Sequence, residues 1–266
     1  MLTEARMNYL ESKTKLNCPK ISKNGFAVSV LDFSLIPQII MYLKLHQCYS
    51  SDFVGFPVGI NKALALGETK CGEICVKRLL DGNRGHWGIM ESPSITFSCG
   101  YIDHDSVMQA RTHRIGTSFA VQSMRYTSEQ FLKAAKDKSI LDEVVFLEQP
   151  GNKIDRKGNK FYYTQEQFDK KCDLAFEMIK EYAENVELGI PPEAARDILP
   201  HNYRQHFCVT FNLRSLLHFC DLRLKKDAQN NITELAELMY DFAEIWAPEI
   251  CEYYTKNRKG KALLAP

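Results

Sequence analysis

The sequence lacks several features that mark common functional classes. It contains no CxxC pair, no GxxxxGK[ST] phosphate-binding loop and no GxGxxG segment after a strand. No apolar run approaches the roughly 20 residues that a helix needs to cross a bilayer, and the first residues have no apolar signal core. We therefore expect a cytoplasmic protein without membrane contact. Any nucleotide would be held by side chains and helix ends.

An excess of charge of one sign is also missing. The 34 basic and 33 acidic residues leave a net charge of +1. Proteins that bind long nucleic acids usually carry a basic surplus, so we expect no polymeric DNA or RNA partner. An RNA-binding module stays as an alternative that depends only on local basic residues.

Nine cysteines are present, with no pattern typical of disulfides or zinc. Cys71 and Cys75 have i, i+4 spacing, but no matching His/Cys pair follows at zinc-finger distance. We expect buried free thiols, no metal site and a reducing compartment.

Periodicity predicts long helices and separate strands without regular βαβ alternation, which favours an α+β fold. The 266 residues, 45% of them hydrophobic, suffice for one large domain. We divide the chain into an N-terminal arm and peripheral segment, residues 1–60, and a catalytic domain, residues 61–266. We predict helices at residues 61–81, with Gly82 as the stop, at 105–114, at 165–188 and at 232–254, and a further helix that Asn212 caps. We predict strands at 95–101 and at both ends of 144–163.

Cationic side chains gather between residues 109 and 126. Arg111, His113, Arg114 and Arg125 lie among small hydroxyl residues. Like charges this close repel each other unless anions hold them, and guanidinium groups suit phosphate. The cluster predicts a nucleotide or another phosphate-bearing ligand. A solvated basic helix face is the alternative.

Two further segments combine polar and apolar residues in suggestive ways. Arg214 and His218 are spaced i, i+4 among leucines, so the arginine either pairs with an acid or reaches a ligand. His86 and Glu91, five residues apart in a glycine-containing segment, can flank a cavity mouth. Ordinary loop hydrogen bonding is the alternative for that pair.

Three segments, in order along the chain, carry a resemblance to a known family. Residues 85–97 read Gly-His-Trp-Gly-Ile-Met-Glu-Ser-Pro-Ser-Ile-Thr-Phe, and residues 109–126 place Thr-His-Arg ahead of Ser-Met-Arg-Tyr. Residues 195–223 contain Ala-Arg-Asp-Ile-Leu-Pro, then Asn-Leu-Arg-Ser-Leu and finally Leu-Arg. Together these resemble the flavin-dependent thymidylate synthases of the ThyX family, over roughly residues 60–255.

The resemblance implies an α+β fold in which helices flank a twisted, mainly antiparallel sheet. It also implies a homotetramer with active sites shared between subunits, and bound FAD. In the family NADPH reduces the flavin, methylenetetrahydrofolate supplies the one-carbon unit and dUMP becomes dTMP.

Site residues follow from the resemblance position by position. The residues that it implies for binding of FAD are His86, Glu91, His113, Arg114, Asn212, Arg214 and His218. His86 and Glu91 would also lie on the folate side. For binding of dUMP it implies Gln109, Gln122, Ser123, Arg125, Arg196 and Arg223. The residues that would act in catalysis are Arg223, which polarises the pyrimidine, with Ser123 and His86.

The chain departs from the family pattern at several positions. Thr112 stands where the signature has its first arginine, and eight residues, not seven, separate Arg114 from Ser123. No acidic residue occurs at 120–122, and Met124 replaces a usual glycine, where we expect it to crowd the nucleotide phosphate. One alternative is therefore a divergent relative that acts on another pyrimidine nucleotide or adds a different one-carbon group. Another is a nucleotide-binding homologue without catalysis.

Overall fold

The computed structural model describes residue 11 and residues 14–55, 57–155 and 157–261. Its strands are β1 (Lys20–Ile21), β2 (Ala27–Phe33), β3 (Ser94–Asp103), β4 (Thr117–Val121), β5 (Gly151–Ile154), β6 (Lys160–Tyr163) and β7 (Arg204–Asn212). Its α-helices are α1 (Pro37–Tyr49), α2 (Pro57–Cys75), α3 (His104–Ala110), α4 (Glu129–Lys136), α5 (Leu141–Val144), α6 (Gln165–Glu187), α7 (Pro192–Ala195), α8 (Leu213–Arg223), α9 (Asn230–Trp246) and α10 (Pro248–Asn257).

Helices flank an antiparallel sheet, which confirms the predicted α+β class. Five strands are ordered β1-β2-β3-β7-β4, and β5 pairs with β6 in a separate antiparallel hairpin. In β3, Ile95, Phe97 and Cys99 are fully buried, while Thr96 and Ser98 between them are partly exposed. This alternation is the period-two pattern that predicted the strand.

The larger of two compact units contains the described residues of Met1–Cys99, Ala110–Phe119 and Cys208–Pro266. Aromatic rings fill part of its core, where Phe211 lies 5.5 Å from Phe219 and 6.5 Å from Phe97 between ring centroids. Phe242 of α9 lies 6.2 Å from Phe97. Helices α8 and α9 thus pack on the sheet through rings whose burial stabilises the fold.

The smaller unit contains Gly100–Gln109 and Ala120–Phe207. Its core lies between α4 and α6, where Phe131 and Tyr182 meet edge to face at 5.5 Å. Met124, 2% exposed, packs into this same cluster.

Several predicted elements are confirmed. The helix expected at 165–188 is α6, which begins with a capping box made by Thr164 and Gln167. Asn212 caps α8 as predicted, because its side-chain oxygen accepts the backbone N–H of Ser215 at 2.8 Å. The continuous helix expected at 61–81 is only partly confirmed: α2 starts at Pro57, its backbone leaves helical geometry at Gly67 (φ +79°, ψ +167°), and a π-helix, Val76–Leu80, follows Cys75.

Other boundaries differ from the prediction. Helix α3 ends at Ala110 rather than continuing to residue 114, and the backbone N–H of His113 turns back to the Ala110 carbonyl at 3.1 Å. The helix predicted at 232–254 is two helices, because Pro248 cannot donate the hydrogen bond that would continue α9. Residues near Val144 end α5 instead of forming a strand, and β5 begins only at Gly151.

The cysteines of the described chain are free thiols. Cys71 and Cys75 are buried, and burial raises their pKa values to about 11 and about 12. Cys18 and Cys48 are exposed. Among the residues described, no group of three or more His, Cys, Asp or Glu side chains could hold a metal ion. No helix in the described ranges has the length and apolar content to cross a membrane.

Candidate active site

The first turn of α8 fixes the loop that carries the cationic cluster. Ser215 Oγ donates to the Ile115 carbonyl at 2.7 Å, and the backbone N–H of Asn212 donates to the Gly116 carbonyl at 3.0 Å. Gly116 has φ +66°, and a Cβ added there would overlap the side chains of Asn212 and Ser215. The loop can approach the helix this closely only because residue 116 is glycine.

His113 and Arg223 form the centre of the site in the larger unit. His113 is 7% exposed, and its Nε2 accepts a hydrogen bond from Arg223 Nε at 3.2 Å. A second arm of the guanidinium, Nη2, donates to Thr112 Oγ1 at 3.1 Å. Because Nε2 accepts, the proton of the neutral imidazole is on Nδ1. Thr112, at the signature's first arginine position, thus takes part in holding Arg223.

Burial, together with the charges of Arg223 and His218, lowers the pKa of His113 to about 4. The ring is therefore neutral at pH 7 and does not repel the Arg223 guanidinium. This contact needs no bound anion. Burial also lowers the pKa of Arg223. Its guanidinium still remains charged at neutral pH.

His218 lies beside this pair on α8. Its ring centroid is 5.3 Å from that of His113, and burial lowers its pKa. Its Nδ1 is buried and has no hydrogen-bond partner within the described part of the chain. A buried polar atom without a partner is costly, and a polar group of a bound cofactor would satisfy it. The residues present thus fit the cofactor that the resemblance implies.

Arg214 and Glu91 form an ion pair at 2.5 Å. Arg214 therefore pairs with an acid, but at the surface and not, as that alternative supposed, inside the protein. Both side chains are partly exposed, at 39% and 47%, so the pair can still meet a ligand. Glu91 ends the 3-10 turn Trp87–Glu91, which contacts α8. Two residues beyond the turn, the Pro93 carbonyl accepts the backbone N–H of Leu213 at 3.0 Å.

His86 immediately precedes this turn and is exposed. Its backbone N–H donates to the Leu79 carbonyl at 3.1 Å. His86 therefore lies at the end of the π-helix, while Arg114 is exposed on the cationic loop.

The sequence did not predict the support beneath Trp87. Trp87 is buried, and the Arg258 guanidinium lies 5.1 Å from its ring centroid. Arg258 Nη2 also donates to the buried carboxylate of Asp221 at 2.8 Å, and Tyr254 donates to the same residue at 3.1 Å. The sequence did contain one signal for this support. Asp221 lies among the apolar residues of α8, and a buried carboxylate requires a partner.

The remaining predicted residues belong to the smaller unit. Gln122 Oε1 accepts the backbone N–H of His206 at 3.0 Å, and Arg125 Nε lies 3.8 Å from Glu193 Oε2. Ser123 and Arg196 are exposed, and Gln109 is partly exposed near the end of α3.

Burial of Met124 overturns one expectation. Its side chain points into the core of the smaller unit, not toward solvent, and it is only 2% exposed. The expectation that Met124 crowds a nucleotide phosphate is therefore wrong.

Two kinds of comparison with protein sequences agree with one another. A family model described as thymidylate synthase complementing protein matches residues 29–249. The flavin-dependent thymidylate synthase of Halobacterium salinarum is 31% identical over 254 residues, covering 90% of this chain and 99% of the relative. That of Haloarcula marismortui is 33% identical over 201 residues, covering 73% and 80%.

Solved structures share the fold. The flavin-dependent thymidylate synthase ThyX of Helicobacter pylori, complexed with FAD and dUMP, has a TM-score of 0.61 and 20% identity, over 84% of this chain and 98% of that one. A UMP/dUMP methylase, PolB of Streptomyces cacaoi, bound with 5-Br dUMP, has a TM-score of 0.66 and 19% identity, over 93% and 99%.

Proposed function

This chain belongs to the thymidylate synthase complementing protein family and is a flavin-dependent thymidylate synthase, and we propose how its residues convert dUMP to dTMP. The single observation that carries the assignment of roles is the Arg223 guanidinium, which His113 and Thr112 hold from two sides. A cation fixed before the substrate arrives stabilises negative charge that develops on a pyrimidine ring.

FAD is held by residues of the larger unit. Arg114 and Arg214 would supply guanidinium donors suited to its phosphates, and the buried His218 Nδ1 would be available to a polar atom of the cofactor. Asn212 holds the first turn of α8 in place, and His86, Glu91 and His113 complete this set. The chemistry that bound FAD supplies is two-electron redox chemistry, for which NADPH is the proposed reductant.

The nucleotide is held by exposed and partly exposed groups. Arg125 and Arg196 bind the phosphate of dUMP. Ser123, Gln109 and Gln122 donate hydrogen bonds to the nucleotide. We assign to Arg223 the role of polarising the pyrimidine. Because Gln122 Oε1 already accepts from His206, the amide offers its Nε2 to the nucleotide.

Methylenetetrahydrofolate is the proposed donor of the one-carbon unit, with His86 and Glu91 on its side of the site. The overall reaction consumes dUMP, methylenetetrahydrofolate, NADPH and a proton, and yields dTMP, tetrahydrofolate and NADP⁺. His86 is exposed and can reach such a ligand, which supports this placement.

The absorption spectrum of the purified protein tests this proposal first. We expect the yellow colour of oxidised flavin, bleaching by NADPH, and reoxidation by methylenetetrahydrofolate only when dUMP is present. Mass analysis of the nucleotide product should show dTMP. A colourless protein that no added FAD can restore to activity would overturn the assignment.

One observation favours a second candidate function, action on another pyrimidine nucleotide. No carboxylate occurs at residues 120–122, and the Gln122 side-chain oxygen is engaged with the backbone of His206. Parallel assays with dUMP and UMP distinguish the two: methylation of UMP in preference to dUMP would establish the alternative.

The assembly is proposed as a homotetramer in the cytoplasm, with active sites shared between subunits. The segments at 85–97, 109–126 and 195–223 that resemble the family support this. Light scattering should give four times the chain mass of 30.6 kDa. Residues 61–266 form the proposed catalytic domain. In residues 1–60, proposed as the peripheral segment, β2 and α1 belong to the larger unit.

A further inference from the structure

A cavity of about 540 Å³ lies between α1 and α2 in the larger unit. Tyr42, His46 and Tyr49 line the side formed by α1. Lys70, Lys77 and Arg78 line the opposite side. None of these six residues belongs to the predicted site for FAD or dUMP, so the cavity has no role in the reaction as described above.

The charges in this cavity are unbalanced. Lys70 is paired with Glu73 at 2.7 Å, but Lys77 and Arg78 form no ion pair with any residue that the structure describes. His46 Nδ1 is buried and lacks a hydrogen-bond partner among the described residues. Two unpaired cations near an unsatisfied ring nitrogen are complementary to an anionic group, with aromatic rings available for its apolar part.

A π-helix presents the two cations. Lys77 and Arg78 lie in the five-residue π-helix Val76–Leu80, and Arg84 Nη1 donates to both of their carbonyls, at 2.8 and 3.4 Å. π-helical turns are rare and occur frequently at functional sites. The Arg84 contacts hold the backbone that carries the two cations, so only their side chains have to be ordered when an anion binds.

Tyr49 connects this basic cavity with the proposed active site. It also lines a second cavity of about 210 Å³, together with Cys48, Leu79 and His86. Leu79 directly follows the cations in the π-helix, and its carbonyl accepts the backbone N–H of His86 at 3.1 Å. A ligand whose ring lies beside His86 could therefore extend past Tyr49 toward Lys77 and Arg78.

We propose that the basic cavity binds the anionic tail of a co-substrate whose heteroaromatic ring lies beside His86. This rests on the proposed function, in which His86 faces the folate. The shared chemistry is a carboxylate or phosphate group, so the tail has two possible sources. One is the glutamate carboxylates of methylenetetrahydrofolate, and the other is the 2′-phosphate of NADPH, which NADH lacks.

The test compares Lys77→Gln and Arg78→Gln with Lys62→Gln, which removes an exposed lysine of α2 that does not line the cavity. KM is measured for methylenetetrahydrofolate, for an analogue without its glutamate, for NADPH and for NADH. We expect about a three- to tenfold increase in KM for the co-substrate that carries the anion. kcat, FAD content and the KM for dUMP should stay at wild-type values.

The pattern of changes identifies the source. An increase confined to the glutamate-bearing folate assigns the carboxylates, and an increase for NADPH but not for NADH assigns the 2′-phosphate of the dinucleotide. KM values equal to those of Lys62→Gln for all four compounds would overturn the proposal. A uniform rise that includes dUMP would overturn it as well, because it indicates a general disturbance.

Calorimetric titration separates this proposal from the proposed function. In one outcome the wild-type protein shows no turnover but binds the folate or NADPH, and Lys77→Gln and Arg78→Gln bind that compound more weakly than Lys62→Gln does. The cavity assignment then holds and the reaction assignment fails. If the wild-type protein turns over and the variants bind both co-substrates normally, the reaction assignment holds and the cavity assignment fails.

Discussion

At the scale of single residues, the pairing of Arg223 with a neutral histidine determines the electrostatics of the site. A protonated His113 would repel the guanidinium, whereas the neutral ring accepts its Nε–H at 3.2 Å. Thr112 Oγ1 accepts a second hydrogen bond, from Nη2 of the same guanidinium, at 3.1 Å. Two neutral side chains thus orient the positive charge of Arg223.

Replacement of Arg223 tests its role. We expect Arg223→Ala to retain FAD, judged by the absorption spectrum, while kcat/KM falls on the order of 100-fold or more, because the oriented charge is lost. Arg223→Lys should be impaired as well, since one ammonium group cannot reproduce the geometry of the guanidinium fork. Unimpaired turnover of the alanine variant would exclude Arg223 from catalysis.

The lowered pKa of His113 predicts a pH dependence of stability. The ordinary pKa of histidine is 6.5, and that of His113 in the folded protein is about 4. Between pH 6.5 and about pH 4 the unfolded chain therefore binds a proton that the folded protein does not bind. The stability that depends on neutral His113 is complete above pH 6.5. It is lost as the pH falls to about 4, by about 2–3 kcal/mol.

Urea unfolding between pH 7 and pH 4 measures this effect, with His113→Gln as the control. Glutamine offers an oxygen to Arg223 but does not titrate. The free energy of unfolding should fall more steeply with decreasing pH in the wild-type protein than in the variant. Parallel curves would show that His113 does not titrate as described.

At the scale of elements, the start of α8 organises the site because it contacts both the cationic loop and the turn that ends at Glu91. The Asn212 side chain caps the helix through Ser215 N at 2.8 Å. We expect Asn212→Ala to lower the free energy of unfolding by about 1 kcal/mol. Asn212→Asp, which keeps the accepting oxygen, should lose less. Equal losses in thermal melts of the two variants would show that the cap is unimportant.

The contact between Gly116 and α8 can be tested against a matched glycine. Gly116 and Gly158 have φ values of +66° and +86°, so alanine is strained at both. Only at Gly116 would the added Cβ overlap side chains, those of Asn212 and Ser215, whereas nothing lies within 4 Å at Gly158. Gly116→Ala should therefore be less stable than Gly158→Ala by about 1–3 kcal/mol in urea unfolding. Equal destabilisation would mean that the loop simply moves away.

Local patterns predicted those elements whose cause is local. The alternation in β3, the burial of Ala175, Ile179 and Tyr182 on one face of α6 and the Asn212 cap each depend on residues close together in the sequence. The break at Pro248 was missed because the apolar stripe continues beyond it, with Ile250 and Tyr254 buried. The end of α3 at Ala110 was missed because no glycine or proline follows it directly in the sequence.

The site was only partly predictable for a similar reason. The i, i+4 spacing of Arg214 and His218 indicates a common helix face, but it does not show that Glu91 pairs with the arginine. The contact of His113 with Arg223 joins residues that are 110 positions apart. The charge state of His113 depends on that contact and on burial, and neither can be derived from a short stretch of sequence.

At the scale of the whole molecule, cofactor binding should contribute to stability. A ligand that binds only the folded chain raises the free energy of unfolding by about 2.7 kcal/mol at a hundred times its Kd. We expect removal of FAD to lower Tm and readdition to restore it. FMN, which lacks the adenosine part, serves as the comparison. A Tm that does not change with FAD would contradict tight binding by the folded protein.

The distribution of thiol exposure makes the chain suitable for site-selective labelling. Burial suppresses the reactivity of most cysteines, whereas Cys18 and Cys48 are exposed. Cys48 lines the same small cavity as His86. A fluorophore attached there after Cys18→Ser would sense ligands entering beside His86, and its emission in stopped-flow experiments would time the arrival of each co-substrate separately.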